Sequence, residues 1–172
     1  MRGAVTDASL PSEGEITVRT ATEEDMDVLG RYGAELMQLH HDWDRSRFIS
    51  PGPTTPVMYS NYLRNQLGKP DVIVLVAEVD GVTAGYVYAS LEGPDYMALR
   101  GPAGVIYDIF VAEAHRRKGV GTALLNPVVE GLARLGASQV VLSTAHRNDA
   151  GQRLFASMGF EPTMVEMTLQ LF

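Results

Sequence analysis

The sequence predicts an α/β (α+β) fold, in which a mixed, mostly antiparallel, twisted sheet carries helices on both faces. Two β-rich runs, 72–79 and 82–91, are joined by Asp80-Gly81, a dipeptide typical of tight hairpins. After that hairpin, three strand patterns alternate with two helical patterns, which is the order of β-α-β crossovers. A chain of 172 residues with a 45% hydrophobic share suits one globular domain.

The N-terminal residues differ in composition from the rest of the chain. Residues 1–14 are small and polar without periodicity, so we expect a flexible leader ahead of a single domain over 15–172. This leader lacks the apolar core of a signal peptide. No run approaches the roughly 20 apolar residues of a membrane span. We therefore expect a cytoplasmic protein with no membrane partner.

Two helices follow a first short strand at 16–18. The segment 22–25 resembles a capping box, and apolar residues at spacings of three and four then predict an amphipathic helix to about residue 40. Thr55-Pro56 is typical of a helix start, and the single apolar face that follows it predicts a second helix.

The C-terminal part of the chain supplies the crossovers. Periodicity predicts a strand over 105–111, a helix over 120–135, a strand over 139–144, a helix over 148–158 and a last alternating strand over 164–171.

Composition also excludes some classes of function. The net charge of −7 argues against a nucleic-acid partner, because a phosphate backbone would be repelled on average. The absence of cysteine excludes disulfides, thiolate metal sites and a cysteine nucleophile.

One basic run, "HRRKGVGTALL" at 115–125, lies between a strand and a helix. Cations at a helix N-terminus are disfavoured by the helix dipole unless an anion binds there, and a diphosphate would suit such a turn. The segment matches neither the P-loop pattern nor the dinucleotide-binding fingerprint. In the second case Leu124 occupies the position of the third glycine. A plain turn with glycines for packing is the alternative.

The residues around this turn resemble a known family. The pattern Arg-x-x-Gly-x-Gly at 116–121, behind "YDIFV" and ahead of "TALL", resembles the acetyl-CoA-binding motif of the GNAT superfamily of N-acetyltransferases. Asn148 followed by "LFASMGF" and the opening "ITVRTATEEDMDVL" are also similar to that family. The resemblance covers roughly 15–171. It implies a splayed cleft for acetyl-CoA as co-substrate.

The resemblance also implies a role for each matching residue. The end of the strand at Phe110 and Val111 would pair with the pantetheine arm, residues 116–122 would hold the diphosphate, and Asn148 would hydrogen-bond the arm. The implied cofactor site comprises Ile109, Phe110, Val111, Arg116, Arg117, Lys118, Gly119, Val120, Gly121, Thr122, Asn148 and Phe155.

The usual acid of the family is missing. Many members carry a tyrosine four residues before the Gly-Phe pair to protonate the departing thiolate, and Phe155 occupies that position here. Replacement candidates are Tyr107, Ser143, Thr144 and His146, whose imidazole has a pKa range suited to proton transfer.

Asp108 is the candidate general base for the amine. Strand alternation places it on one face with Ile106 and Phe110, opposite Tyr107 and Ile109. An acid tied to a neighbouring backbone or lysine is the structural alternative, and direct loss of the proton to water would need no base.

The sequence His40-His41-Asp42-Trp43-Asp44 invites a metal interpretation, but no second cluster lies at ligand spacing, so we expect no metal. In the family the two helices and their connecting loop line the acceptor pocket. This implies acceptor contacts from Trp43, Arg47 and Phe48.

These observations predict an acetyl-CoA-dependent N-acetyltransferase. Because the chain lacks cysteine and a Gly-x-Ser-x-Gly motif, a primary amine would attack directly in a ternary complex. The acceptor would be a small-molecule or peptide amine, and a homodimer is left open. The alternative function is a CoA-binding regulatory module that has lost catalysis, which Phe155 favours.

Overall fold

The computed structural model describes residues 14–171. Of the expected leader, all but Gly14 lies outside the described residues. The helices are α1 (Met26–Trp43), α2 (Thr55–Arg64), α3 (Val120–Arg134) and α4 (Asp149–Ser157). The strands are β1 (Ile16–Thr20), β2 (Val72–Val79), β3 (Val82–Glu92), β4 (Ala103–Val111) and β5 (Val140–Leu142).

The five strands form one sheet in the order β1-β2-β3-β4-β5. The first three pairings are antiparallel, and β4 with β5 is parallel. The hairpin predicted at Asp80-Gly81 joins β2 to β3, with both residues at positive φ. The predicted fold class, a mixed and mostly antiparallel sheet, is confirmed.

Helices cover both faces of the sheet, as predicted. On one face α1 and α2 bury Met26, Leu29 and Leu63 against the inner strands. On the other face α3 buries an apolar stripe that includes Leu124 and Leu132. No helix among the described residues has the length and hydropathy needed to cross a bilayer.

The two helices of the first face approach each other closely at two glycines of α1. A methyl group on Gly30 would collide with the Pro56 carbonyl oxygen, and one on Gly33 would collide with the ring of Tyr59. Because neither glycine carries a side chain, α2 lies directly on α1, and the Tyr59 ring reaches the sheet beneath.

The last predicted strand is wrong. Residues 164–171 form no strand and are exposed along their whole length. Two contacts tie this segment to the loop after α1: Arg47 Nε donates to Glu166 Oε1 at 2.6 Å, and Gln170 Nε2 donates to the Ser46 carbonyl oxygen at 3.0 Å. Alternation indicates a segment able to form a strand, but a strand also needs a neighbouring edge, and no described strand pairs with this one.

Candidate active site

Strands β4 and β5, which end the strand order of the described sheet, part beyond Ile106. Their pairing ends at Ile106 and Leu142, whereas β4 continues beside β3 to Val111. A cavity of about 670 Å³ lies at this gap, between the α1–α2 pair on one side and the strand ends with α4 on the other. Within the described chain, the backbone edge of β4 beyond Ile106 has no strand partner on the β5 side.

A β-bulge in β4 decides which side chains face this cavity. Tyr88 of β3 pairs with Asp108 and Ala89 pairs with Ile106, so Tyr107 is an extra residue between them. The bulge shifts the alternation by one residue. Ile106 therefore packs in the core under α3, whereas Asp108 faces α2. The expectation that Asp108 shares a face with Ile106 is wrong for this reason, while its grouping with Phe110 is retained.

Asp108 is a partly buried carboxylate that lines the cavity. It accepts a hydrogen bond from the Tyr59 hydroxyl, which in turn accepts one from the Tyr86 hydroxyl at 3.2 Å. Burial raises the pKa of Asp108 to about 6. A carboxylate with a pKa near 6 is basic enough to accept a proton at neutral pH and remains charged there.

The other proton-transfer candidate on β4, Tyr107, has a different environment. Its hydroxyl donates to Glu92, and its ring stacks on Tyr88 with centroids 4.9 Å apart. Burial and the Glu92 hydrogen bond raise the pKa of Tyr107 above that of an ordinary tyrosine. Although Tyr107 lines the cavity, its acidic proton is held by a carboxylate outside the lining.

The far side of the cavity carries the residues expected near the thiolate. Phe155 is 7% exposed, lines the cavity and packs against Phe160 at 6.1 Å between centroids. Ser143 and Thr144 also line it, just beyond the end of β5. Thr144 Oγ1 accepts a hydrogen bond from Asn148 Nδ2 at 3.1 Å. Here the described side chains offer two hydroxyl groups and no phenol.

Asn148 caps the helix that follows. Its Oδ1 accepts from the Gly151 backbone N–H at 3.0 Å, which satisfies one of the free donors of α4. The side chain also lines the cavity, and its contact with the pantetheine arm stays a prediction.

The glycine turn ahead of α3 leaves backbone N–H groups without helical acceptors at the start of the helix. Gly119 lies at φ +84° and begins the helix, whose first internal bond runs from the Ala123 N–H to the Gly119 carbonyl. The N–H groups of residues 120–122 precede that bond and have no acceptor within the helix. Gly121 has a packing role, because a methyl group there would lie 2.7 Å from Leu154 Cδ2.

The cations of this turn lie beside the end of β4. Arg116 Nε donates to the Val111 carbonyl oxygen at 2.9 Å, and its guanidinium lies 5.8 Å from the centroid of Phe110. Lys118 Nζ donates to the Ala114 carbonyl oxygen at 2.8 Å. Arg117 is held at a positive φ of 59° and is exposed.

The remaining predicted residues divide into two groups. Phe48 lines the cavity, with the Arg47 guanidinium over its ring at 4.8 Å. His146 and Trp43 are not among the residues that line it: His146 is exposed in the turn before α4, and Trp43 packs edge-on against His40. Within residues 14–171, no group of three or more histidine or acidic side chains is arranged to hold a metal ion.

The sequence does not reveal the importance of Tyr59 and Gly33. Tyr59 falls on the apolar face of the second predicted helix, where an aromatic residue indicates core packing. Only the helix crossing brings its hydroxyl to Asp108. The two glycines inside this periodic helical pattern, Gly30 and Gly33, are the signal of that crossing, because a glycine in mid-helix indicates close approach.

Comparison with known proteins agrees with this geometry. Residues 35–160 match the family described as Acetyltransferase (GNAT) family, which is well over half of the chain. The chain therefore belongs to this family, and the resemblance seen in the sequence is confirmed.

Two relatives are similar to this chain over part of their length. An L-methionine sulfoximine/L-methionine sulfone acetyltransferase of Salmonella typhimurium is 34% identical over 104 residues, 58% of this chain and 55% of that protein. An N-alpha-acetyltransferase of Sulfurisphaera tokodaii is 32% identical over 95 residues, 52% of this chain and 57% of that protein. The matches thus span about half the length of these relatives.

Solved structures share the fold across nearly the whole chain. A protein from Bacillus halodurans superposes with a TM-score of 0.77 at 19% identity, covering 91% of this chain and 99% of that one. An aminoglycoside N-acetyltransferase in complex with CoA superposes with a TM-score of 0.71 at 19% identity, covering 94% and 97%.

Proposed function

We propose that this member of the acetyltransferase (GNAT) family is an acetyl-CoA-dependent N-acetyltransferase. In this proposal the acetyl group moves to a primary amine by direct attack within a ternary complex. The observation that carries the proposal is the partly buried Asp108 carboxylate, which faces the cavity at the gap between β4 and β5 and is hydrogen-bonded to Tyr59.

The chain offers a fitting place for each part of acetyl-CoA. The three N–H groups at residues 120–122 lack helical acceptors and would hold the diphosphate, with Arg116 and Lys118 adding positive charge. The unpaired edge of β4 would hydrogen-bond the amides of the pantetheine arm, as a neighbouring strand would. Asn148 and Phe155 would border the arm on the α4 side.

Asp108 would act as the general base. The acceptor enters as an ammonium, and the carboxylate takes one of its protons, leaving a neutral amine. The amine nitrogen then bonds to the thioester carbon while the carbon–sulfur bond breaks. The second proton on nitrogen goes to the thiolate, so the products are the amide and free CoA thiol, and Asp108 returns its proton to solvent. Backbone N–H groups around Phe110 would stabilise the developing oxyanion.

In this proposal the thiolate departs without a dedicated acid, because Phe155 carries no hydroxyl. The thiolate of CoA is a weak base, and the proton released by the attacking nitrogen is available to it. The hydroxyl that the family usually supplies here is therefore dispensable in this proposal, and Tyr107 and His146 need not act as acids.

A small-molecule or peptide amine is the proposed acceptor, with no nucleic-acid or membrane partner, and the proposed location is the cytoplasm. The net charge of −7 supports the exclusion of nucleic acid, since phosphates would be repelled. A homodimer remains a prediction, which light scattering of the purified chain would check.

Initial-rate kinetics with acetyl-CoA and an amine test the proposal. Direct attack gives lines that intersect as both substrates are varied, and no acetylated protein in mass spectrometry. Parallel lines or a stable acetyl-protein would contradict it. A chain that binds acetyl-CoA in calorimetry but releases thiol with no amine of a broad panel would instead be the regulatory module.

A further inference from the structure

If the chain acetylates amines as proposed above, the wall opposite the gap between β4 and β5 holds the acceptor. This wall comes from α1, the loop after it and α2. Its side chains are mostly apolar or aromatic, including Leu36, Met37, Phe48, Met58 and Tyr62. The rings of Tyr59 and Tyr62 lie nearly parallel, 6.2 Å apart and inclined by 21°. Such a wall gains free energy from a ligand with a hydrocarbon body.

The cavity has a single anionic group. Among the described residues that line it, Asp108 is the one acidic side chain, and none is lysine or arginine. His40 is the other ionisable group on the acceptor wall besides the tyrosines. Its Nδ1 lies 2.8 Å from the Leu36 carbonyl oxygen and donates a hydrogen bond to it, so this nitrogen is already engaged.

Two arginines close to this wall are already engaged by other groups. Arg47 Nε donates to Glu166 at 2.6 Å, and its guanidinium covers the outer face of Phe48. Arg147 donates to the Trp43 carbonyl oxygen at 2.6 Å. A carboxylate on the acceptor would therefore enter apolar surroundings next to Asp108 without a cation to pair with, which is strongly unfavourable.

The entrance of the cavity is also apolar. Ile49 and Met58 line the cavity and are 75% and 67% exposed, and Val57 beside them is 64% exposed. Adjacent exposed hydrophobic side chains at the edge of a pocket are typical of a site that binds an apolar ligand.

The geometry points to a lipophilic primary monoamine as the acceptor. Its one ammonium would face Asp108, its alkyl or aryl body would pack on Phe48, Met58 and Tyr62, and it would carry no carboxylate. A peptide N-terminus also brings an ammonium, but its following amides need hydrogen-bond partners. The acceptor wall offers few of these, chiefly the hydroxyls of Ser50 and Thr55.

Three amines with the same aromatic body test whether the site excludes a carboxylate on the acceptor: 2-phenylethylamine, L-phenylalaninamide and L-phenylalanine. The first two lack the carboxylate of the third. We expect kcat/KM, measured by thiol release at saturating acetyl-CoA, to be roughly 100-fold lower for L-phenylalanine than for 2-phenylethylamine. L-phenylalaninamide should lie between them and closer to the amine. Spermidine, with its additional ammonium groups, should be a poor acceptor.

A charge placed on the wall should weaken this discrimination. Met58→Lys puts a cation inside the cavity and should reduce the ratio between 2-phenylethylamine and L-phenylalanine about tenfold. Val82→Lys is the matched control. It adds the same charge at an exposed position at the start of β3, outside the lining, and should leave the ratio unchanged.

The outcomes separate this inference from the proposed function. If L-phenylalanine or spermidine is acetylated as well as 2-phenylethylamine, the chain is an N-acetyltransferase and the monoamine class is wrong. If phenylalanyl-alanyl-alaninamide is the better acceptor, the site is built for peptide N-termini and the inference fails. If no amine releases thiol although acetyl-CoA binds in calorimetry, the proposed function fails and this inference with it.

Discussion

Two carboxylates on the same side of the sheet, those of Asp25 and Asp108, have opposite environments. Asp25, at the start of α1, is 4% exposed and receives two hydrogen bonds of 2.8 Å from Arg19 and one of 2.7 Å from the Thr22 N–H. Asp108, in the cavity, receives one from Tyr59 and has no cation beside it in the described lining. Hydrogen bonding to Arg19 lowers the pKa of Asp25, whereas burial raises that of Asp108.

The difference separates a structural acid from a reactive one. A carboxylate with its charge fully compensated stabilises the fold and has no reason to take up a proton. A carboxylate that lacks such partners destabilises the fold and is correspondingly ready to accept a proton. The pH dependences are opposite in sign. The contribution of Asp25 is present above its unfolded pKa and is lost as the pH falls through its lower folded pKa. Asp108 destabilises the fold increasingly as the pH rises from about 4 to about 6, and the effect is constant above that range.

Asp108→Asn should have the largest effect. Loss of the base should lower kcat/KM by roughly 10²–10⁴-fold. The free energy of unfolding at pH 7 should rise by about 2 kcal/mol, because the buried charge is gone, which corresponds to a gain in Tm of about 4–8 °C. Thiol release and thermal melts would be measured on the same preparation. An active variant, or one that is inactive and less stable, contradicts the contrast between the two acids.

Asp25→Asn should destabilise the fold and leave the activity nearly unchanged. It leaves Arg19 and the Thr22 N–H without their carboxylate, so the free energy of unfolding should fall by about 2–3 kcal/mol. Below the melting transition, kcat/KM should stay within about twofold of the parent, because Asp25 does not line the cavity. Urea titrations at pH 7 would measure the first effect. A loss of activity as large as that of Asp108→Asn would show that the contrast is false.

Gly33→Ala tests whether the helix crossing positions the base. The added methyl group collides with the Tyr59 ring, so the hydroxyl should move away from Asp108. We expect kcat to fall about tenfold, with a pH profile shifted to higher pH. Gly131→Ala is the control, because its methyl group would lie 2.7 Å from Ile73 Cδ1 on the other face of the sheet. The clash there is with the end of a flexible side chain, so this variant should cost less stability, and it should leave the pH profile in place. A shift in both variants would count against a positioning role.

Tyr59→Phe removes the one hydrogen bond that Asp108 receives among the described residues. Because that bond favours the charged carboxylate, its loss should raise the pKa of Asp108 further and lower kcat/KM at pH 7 by about three- to tenfold. Activity should recover toward that of the parent at pH 8. Tyr62→Phe removes a hydroxyl bonded to Tyr88 instead, 3.0 Å away, and should not move the midpoint of the pH profile. Equal shifts in the two variants would argue against a specific Tyr59–Asp108 bond.

Phe155→Tyr should have the smallest effect. It adds the hydroxyl that the family usually carries, but thiolate departure without an acid already works in this proposal. We therefore expect a gain in thiol release below about tenfold across pH 6 to 9. A parent with no turnover and an active Phe155→Tyr variant would overturn the proposal in favour of a catalytically dead CoA-binding module.

The sequence predicts most of the fold because each element carries its own local signal. The hairpin at Asp80-Gly81, the helix starts and the glycine turn need no information from distant residues. The prediction of a strand at 164–171 is wrong because a strand also needs a neighbouring strand, which alternation in the sequence does not reveal. The sequence does not predict the bulge at Tyr107, for a similar reason. It is a property of the register between β3 and β4, and one extra residue moves Ile106 to the opposite face.

The candidate site is only partly predictable for the same physical reason. Asp108 stands out as an acid in an otherwise apolar strand. Tyr59 does not, because an aromatic residue on a helix face usually packs in the core, and its role depends on a contact between residues 49 positions apart. The charge of the acceptor wall likewise depends on which arginines are engaged by other groups, and no single segment encodes it.

The pH dependence of kcat/KM for 2-phenylethylamine, from pH 4.5 to 9, tests the central claim most directly. If Asp108 takes the proton from the ammonium, activity rises through a midpoint near pH 6 and is then constant up to pH 9, because both the carboxylate and the ammonium are charged over that range. In Asp108→Asn the plateau should disappear, and the remaining activity should climb about tenfold per pH unit with the fraction of neutral amine. A parent that itself climbs in this way, without a plateau, would mean that the proton is lost to water and that Asp108 is not the base.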